Sequence, residues 1–360
     1  MGGRLVPLRA GVLGATGMVG QRFVQALSGH PDFEVAALFA SSASAGKKYQ
    51  DAARWVVEYP LPAPIGEMPV RQATAGSVRA SEVDVVFSGL PSDVAGPLEA
   101  ELAAAGLPVF SNASAHRMDA DVPLLIPEVN RGHLALARAA KAAGRGPMIT
   151  NANCSSTGLV LGLKPLVDRF TVEDVVVSTY QAVSGAGTDG LKLLTQPFNV
   201  IPHIDKEEGK VEAETRKIFG RLDGGAVEPA PFSVLASCAR VWVRDGHLES
   251  VVVRLRERPA LDEVLEAFRS FRSPIEGMGL RSAPKRPVVL LEEAGRPQPA
   301  LDAMLGEEEQ LPGMSAGVGQ VRMAPDGRVR FFVLSHNTIR GSAGGSVLNA
   351  EMALAEGVLS

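Results

Sequence analysis

"GVLGATGMVGQ", residues 11–21, closes an apolar run and opens a segment with helical spacing. Gly14 and Gly17 permit a tight turn and a close backbone approach. The amides from Thr16 through Met18 to Val19 then face outward at a helix N-terminus, where a pyrophosphate is stabilised. The spacing is GxxGxxG, a weak signal by itself, because a tight strand-to-helix turn needs no ligand. Its position is the stronger argument, with a strand before it, a helix after it, and first place in an alternating series.

That series continues. "LRAGVLG" (8–14), "FEVAALFA" (33–40), "VDVVFSGL" (83–90) and "LPVFSN" (107–112) read as buried parallel strands. "MVGQRFVQALSGH" (18–30) and "DVAGPLEAELAAAG" (93–106) carry helical spacing between them. The first half is therefore expected to be a Rossmann-like, doubly wound α/β domain over residues 1–153. Beyond it the rhythm changes. A helix in "SSTGLVLGLKPLVDRF" precedes a long strand, "VEDVVVSTYQAV" (172–183). Hairpins are expected at Asp245-Gly246 and Asp326-Gly327. "PALDEVLEAFRSF" (259–271) reads as a helix, and residues 294–315 as a long loop. Residues 154–337 thus form an α+β domain with an open mixed sheet and helices on one face. A last helix within 338–360 is expected to return to the first domain.

At 360 residues the chain has length for about two domains. Its net charge of −4 and the absence of a dense Lys/Arg run argue against a nucleic-acid or anionic-membrane partner. Two cysteines 84 positions apart make neither a disulfide framework nor a zinc site, so no metal is expected and a cytoplasmic location is. The N-terminal stretch lacks the apolar core of a signal peptide, and no apolar run reaches membrane-span length.

The second strand runs into "SSASAGKKYQ" (41–50), which has hydroxyls and two lysines but no acid. A carboxylate there would hold a ribose 2′-hydroxyl and repel a 2′-phosphate. Ser41, Ser44 and Lys47 or Lys48 favour the phosphate, so NADP is expected over NAD.

"TNANCSSTG" (150–158) places Cys154 between a strand end and a helix start, among polar residues. The helix N-terminus there favours a thiolate; Ser155, Ser156 and Thr157 are candidate caps, and the helix's amides could hold a developing oxyanion. A thiolate catalyst needs a proton partner. In "CARVWVRDGHLESVVVRL" (238–255), a two-residue hairpin would set His247 opposite Arg244 and put Arg240 on the same face. A small carboxylate would fit between guanidinium and imidazole.

These residues sit in a longer ordered set: "GATGMVGQRF", "ASSASAGKKY", "SGLPSD", "SNASAHRMDADVPLLIPEVN", "NANCSSTG", "TYQAVSGAG", "EEGKVEAETRKI", "RVWVRDGHLESV", "RPQP" and "HNTIRGSAGGSVLNAE". In these the chain resembles the aspartate-semialdehyde dehydrogenases, in particular the branch of archaea and fungi. The resemblance implies that Cys154 is the nucleophile forming an acyl-thioester, His247 its acid/base, and Gln181 the amide orienting the acyl group. It implies that Arg240 binds the substrate α-carboxylate and Glu208 its α-ammonium, with Arg117 and Lys210 on phosphate. Ser184 and Gly185 would lie near the cofactor, and Asn337 near the nicotinamide carboxamide. Glu208 and Lys210 are two apart, which on a regular helix points them to nearly opposite sides. Either the helix begins after Lys210, or Glu207 faces the site.

Three departures from the family pattern stand out: Ala43 where arginine is frequent, Trp242 where proline is more frequent, and a long acidic loop at 301–317. The implied reaction is NADPH-dependent reduction of aspartyl-4-phosphate to the semialdehyde and phosphate, in lysine, methionine and threonine synthesis. A homodimer or homotetramer is implied as well. Malonyl-CoA reductase on the same scaffold, N-acetyl-glutamyl-phosphate reductase and a non-catalytic NADP-binding regulator are the rival readings at this point.

Overall fold

The computed structural model describes residues 6–195, 197–306 and 311–359. Two compact units divide the chain. The first comprises residues up to Leu125, Gly132–Asn151 and Ser342 onward; the second comprises Ile126–Arg131 and Ala152–Gly341.

Among the described residues the first unit has strands β1 (Leu8–Leu13), β2 (Phe33–Ala40), β3 (Val70–Gln72), β4 (Val85–Ser88), β5 (Val109–Ser111), β6 (Leu124–Leu125) and β7 (Met148–Asn151). They form one parallel sheet in the order β3-β2-β1-β4-β5-β7-β6. The order reverses between β1 and β4, which is where a doubly wound sheet opens a ligand crevice. Short β3 and β6 lack the length or apolar run that would mark them in sequence. Helices α1 (Met18–Leu27) and α2 (Ser92–Ala104) follow β1 and β4. Phe23, Phe33, Phe87 and Phe110 interlock in the core at ring separations of 5.3–5.6 Å, close enough to add to simple burial. The last helix, Gly344–Ala355, packs on α1, β5 and β7 within this unit. His30 on the α1 side and Glu351 on that helix meet at 2.7 Å, both buried.

The main segment of the second unit opens on α3 (Cys154–Val167), buried almost throughout. It has β8 (Val172–Gln181), β9 (Val200–Ile201), helix α4 (Glu207–Ile218), and β10 (Arg221–Asp223) with β11 (Ala226–Glu228). After these come β12 (Ser233–Val241), β13 (His247–Leu255), helix α5 (Leu261–Ser270), β14 (Val288–Leu291), β15 (Ala316–Met323) and β16 (Val329–Ser335). The main sheet is mixed, in the order β14-β15-β16-β13-β8-β12-β9. Period-two burial along β8, β12 and β13 gives one face packed by α3 and α4 and one open face carrying Tyr180 and Leu235.

Two local expectations are corrected. Asp326-Gly327 does join a paired hairpin, β15 to β16, but Asp245-Gly246 does not. β12 runs parallel to β8 on one side and β13 antiparallel on the other, so residues 242–246 cross the end of β8. Val183 and Ser184 hold this crossing by donating to the carbonyls of Val243 and Arg244. Residues 294–315 are also less irregular than a plain loop. Pro299–Asp302 is a helical turn, and Asp302 accepts from Gln298 N–H and pairs with Arg296. Part of the acidic stretch, 307–310, lies outside the described residues.

Candidate active site

Cys154 is the first residue of α3. The cap is Asn153 rather than the following hydroxyls: its Oδ1 accepts from the amides of Ser155 at 2.8 Å and Ser156 at 3.2 Å. Those two amides are therefore engaged by the cap, which corrects the expectation that they hold an oxyanion. Gly341 lets the backbone close behind the nucleophile, since a Cβ there would sit 2.8 Å from both Cα and Cβ of Cys154.

His247 opens β13 and is fully buried, with Nε2 3.2 Å from Cys154 Sγ. Its Nδ1 accepts from the amide of Ala182 at 3.0 Å. Burial first, then the Arg240 guanidinium and His336, push the imidazole well below its usual pKa. A neutral ring with Nδ1 acting as acceptor carries its proton on Nε2, so an N–H points at the sulfur. Cys238 differs sharply. It is buried, and burial pushes its thiol up to about 11, which keeps it protonated and inert.

Arg240 reaches the same place from β12. Its Nη1 donates to Ala182 O at 2.8 Å and lies 3.5 Å from Gln181 Oε1. Gly185 borders both groups: a Cβ there would fall 2.8 Å from Arg240 Nη1 and 3.1 Å from His247 Nε2. The predicted convergence of Arg240 and His247 is present, although a crossover and not a hairpin produces it.

α4 settles which glutamate turns inward. The helix begins at Glu207, after Lys206 in the left-handed conformation, and buries Glu207, Val211, Glu214 and Ile218 on one face. Glu207 Oε1 accepts from Asn153 Nδ2 at 2.9 Å and Gln181 Nε2 at 3.1 Å. Glu208 instead accepts from the Cys238 amide, so the expectation that Glu208 turns into the site is corrected: it is Glu207 that joins Asn153 and Gln181. Lys210, one turn on, lies 3.7 Å from Glu207 Oε2. Asn153 and Glu214, whose Oε2 accepts from the Asn153 amide at 2.6 Å, were not among the expected site residues, and Glu207 was expected only as the alternative to Glu208. The 207/211/214/218 spacing was the signal that could have found the two glutamates.

Asn337 bridges two loops of the site, donating to Ser184 Oγ at 2.8 Å and accepting from the Gly246 amide at 2.9 Å. Trp242 stands exposed against Phe198, ring centroids 5.3 Å apart, by a shallow recess that Arg240 also lines. Beneath, Arg340 and Glu128 form a buried bidentate pair at 2.9 and 2.7 Å, next in sequence to Gly341.

The first unit carries the expected nucleotide residues. Gly14 has φ +72°, and a Cβ on it would meet Gly89 O at 2.8 Å. Gly17 precedes α1, whose first turn from Met18 and Val19 has no side-chain cap and no acid. That is an uncompensated positive helix end suited to a pyrophosphate. Ser41, Ala43 and Ser44 lie in the turn after β2, again without an acid. Lys48 is paired with Glu67, which leaves Lys47 as the better cation for a 2′-phosphate. The residues present fit a dinucleotide. Arg117 belongs to this unit, is buried, and donates to Asn112 O at 2.6 Å.

Comparison with known proteins agrees with this construction. Residues 9–137 match the semialdehyde dehydrogenase NAD-binding domain and residues 163–340 the semialdehyde dehydrogenase dimerisation domain. An aspartate-semialdehyde dehydrogenase of Methanothermobacter thermautotrophicus is 45% identical over 96% of this chain and 98% of its own. One of Archaeoglobus fulgidus is 43% identical over 97% and 98%. The crystal structure of the Candida albicans enzyme with NADP, 41% identical, superposes with a TM-score of 0.87 over 98% of this chain and all of that one. The chain belongs to the aspartate-semialdehyde dehydrogenase family.

Proposed function

We propose that this enzyme reduces L-aspartyl-4-phosphate to L-aspartate 4-semialdehyde and phosphate, with Cys154 as the covalent nucleophile. The observation that carries this reading is the 3.2 Å contact between Cys154 Sγ and a buried, neutral His247 whose Nδ1 is tied to the Ala182 amide. The sulfur attacks the acyl carbon, the C–O bond to phosphate breaks, and the proton consumed overall ends on phosphate. NADPH, when bound, would supply the hydride that reduces the resulting thioester. The thiohemiacetal oxyanion then collapses, its C–S bond returning the electron pair to sulfur beside His247 Nε2–H. Arg240 offers a guanidinium to the α-carboxylate, and Glu207 a carboxylate to the α-ammonium. Gln181, held by Glu207, orients the acyl oxygen. Arg117 and Lys210 are the cations assigned to phosphate.

NADP is the cofactor of this reading, supported by the acid-free turn after β2 and by the NADP in the Candida albicans structure. Ser184, Gly185 and Asn337 form the part of the second unit assigned to the nicotinamide side. Assembly as a homodimer, or a tetramer of dimers, draws on the dimerisation-domain match and the open apolar sheet face. Among the described residues no helix is long and apolar enough to cross a membrane, and a cytoplasmic location belongs to the same reading.

The test is a phosphate-dependent oxidation assay of the semialdehyde with NADP and with NAD, run on wild type and Cys154→Ala. Wild type should prefer NADP, and the variant should lose all turnover. Residual activity within about a hundredfold of wild type would exclude the covalent route. Faster turnover of malonyl-CoA than of aspartyl phosphate would move the chain to the other chemistry.

A further inference from the structure

Directly under the Cys154–His247 contact, the packed face of the sheet carries oxygen atoms that the mechanism does not use. His247 pairs across β13 and β16 with Ser335, and Glu249 pairs across β13 and β8 with Thr179. Cross-strand partners share a face, so these side chains form two adjacent rows under α3. Both carboxyl oxygens of Glu249, and the hydroxyls of Ser335, Ser155 and Ser156, are buried without a hydrogen-bond partner. Gly158 shows how close Ser335 and Glu249 lie to one another and to α3. A Cβ at that position would lie 2.7 Å from Ser335 Oγ and 3.2 Å from Glu249 Oε1. The helix that bears the nucleophile therefore rests, through a glycine, on the strand that bears its imidazole. A native interior does not leave this many polar atoms idle without a reason.

We infer that Glu249 is a positioning residue for this reaction: with Ser335 it braces β13 and β16 against α3 at Gly158 and fixes the Cys154–His247 separation. The inference rests on the Cys154 reading above. A protonated carboxyl has one O–H to donate and lone pairs to accept, as the Ser335 hydroxyl does, so the two groups are able to satisfy one another. An ionised carboxyl could only accept. The charged and titratable groups that bear on it are Glu207 on α4 and Cys238 on β12, with His247 two residues earlier on the same buried face of β13. Burial and Glu207 both hold Glu249 well above the usual carboxyl range, in agreement with the neutral form. Its effect reaches Gln181 as well, because Thr179, its cross-strand partner, accepts from Gln181 Nε2 at 3.3 Å.

The experiment compares kcat, KM for the semialdehyde, and iodoacetamide labelling of Cys154 at neutral pH in wild type, Glu249→Gln, Glu249→Leu and Ser335→Ala. The neutral, isosteric glutamine should keep kcat within about threefold across pH 6–9. Leucine fills the space but offers Ser335 no polar partner. It should lower kcat by about tenfold to a hundredfold, as a small misplacement of reacting groups does, with KM nearly unchanged and labelling slowed. A folded Glu249→Leu enzyme with wild-type kcat overturns the inference. So does a glutamine variant that falls as far as leucine, since a charged carboxylate would then be needed. If leucine prevents folding, Ser335→Ala decides: a kcat loss of about threefold to tenfold at constant KM supports the role, and no loss overturns it. Cys154→Ala, measured alongside, keeps failure of the site separate, because turnover by that variant removes the nucleophile whatever Glu249 does.

Discussion

In the first unit the candidate nucleotide site is made of backbone: a positive φ at Gly14, a helix end after Gly17, and a turn after β2 that lacks an acid. In the second unit the site is made of side chains that hold one another, Asn153 to Glu207, Glu207 to Gln181, Gln181 to Arg240. These four come from four segments of sequence, and none is aligned by its own backbone alone. A backbone site is local and tolerates changes at a distance. A side-chain site inherits the errors of every element that carries it.

The sharpest way to break that contrast is at Glu128. Its carboxylate meets Arg340 with both partners fully buried, one residue before the glycine that seats Cys154. Glu128→Ala leaves a buried guanidinium uncompensated and should destabilise the fold by about 3–5 kcal/mol, read by denaturant unfolding. A loss below about 1 kcal/mol would show the pair to be solvated in solution.

Gly185→Ala is aimed at the site itself. The added methyl would contact Arg240 Nη1 and His247 together, so kcat/KM should fall by about a hundredfold while the melting temperature hardly moves. The matching change in the first unit is Gly20→Ala, where a Cβ would sit 2.2 Å from Gly14 O. That opens the turn, and KM for NADPH should rise by about tenfold. Iodoacetamide labelling of Cys154 should stay at the wild-type rate. A change in labelling would mean that the two sites are not separable in this way.

The same contrast explains what could be read from the sequence. β1, β2, β4, β5, the first glycine turn and the Cys154 helix start were legible, because apolar runs and glycine spacing are local signals. The convergence of Arg240 and His247 was anticipated through a hairpin that does not form. An Asp-Gly pair marks a reversal but does not say which strand receives the returning chain, and here β8 lies between the two. Asn153 was passed over as the cap because serines and a threonine follow it, and local sequence does not rank competing caps. Glu207 and Glu208 are neighbours whose roles depend on where α4 begins, and helix starts carry an uncertainty of a residue or two. A residue or two is enough to exchange one glutamate for the other.

The smallest effect separates Glu249 from His247 by sign. Folding raises the Glu249 pKa well above its ordinary 4.5, so over a window that opens there the native state holds a proton that the unfolded chain has released. That linkage lowers stability progressively as pH rises above about 4.5. His247 has a depressed native pKa, so its linkage lowers stability as pH falls below about 6.5. Glutamine at 249 removes the first linkage and leaves the second in place. Glu249→Gln should therefore melt at the wild-type temperature near pH 4 and roughly a few degrees higher at pH 8, the gap opening above about pH 4.5 and levelling off only where the native carboxyl ionises. A gap that is constant with pH would mean that glutamine changes packing rather than protonation. A wild type that is the more stable at pH 8 would mean that Glu249 is ionised in the native enzyme.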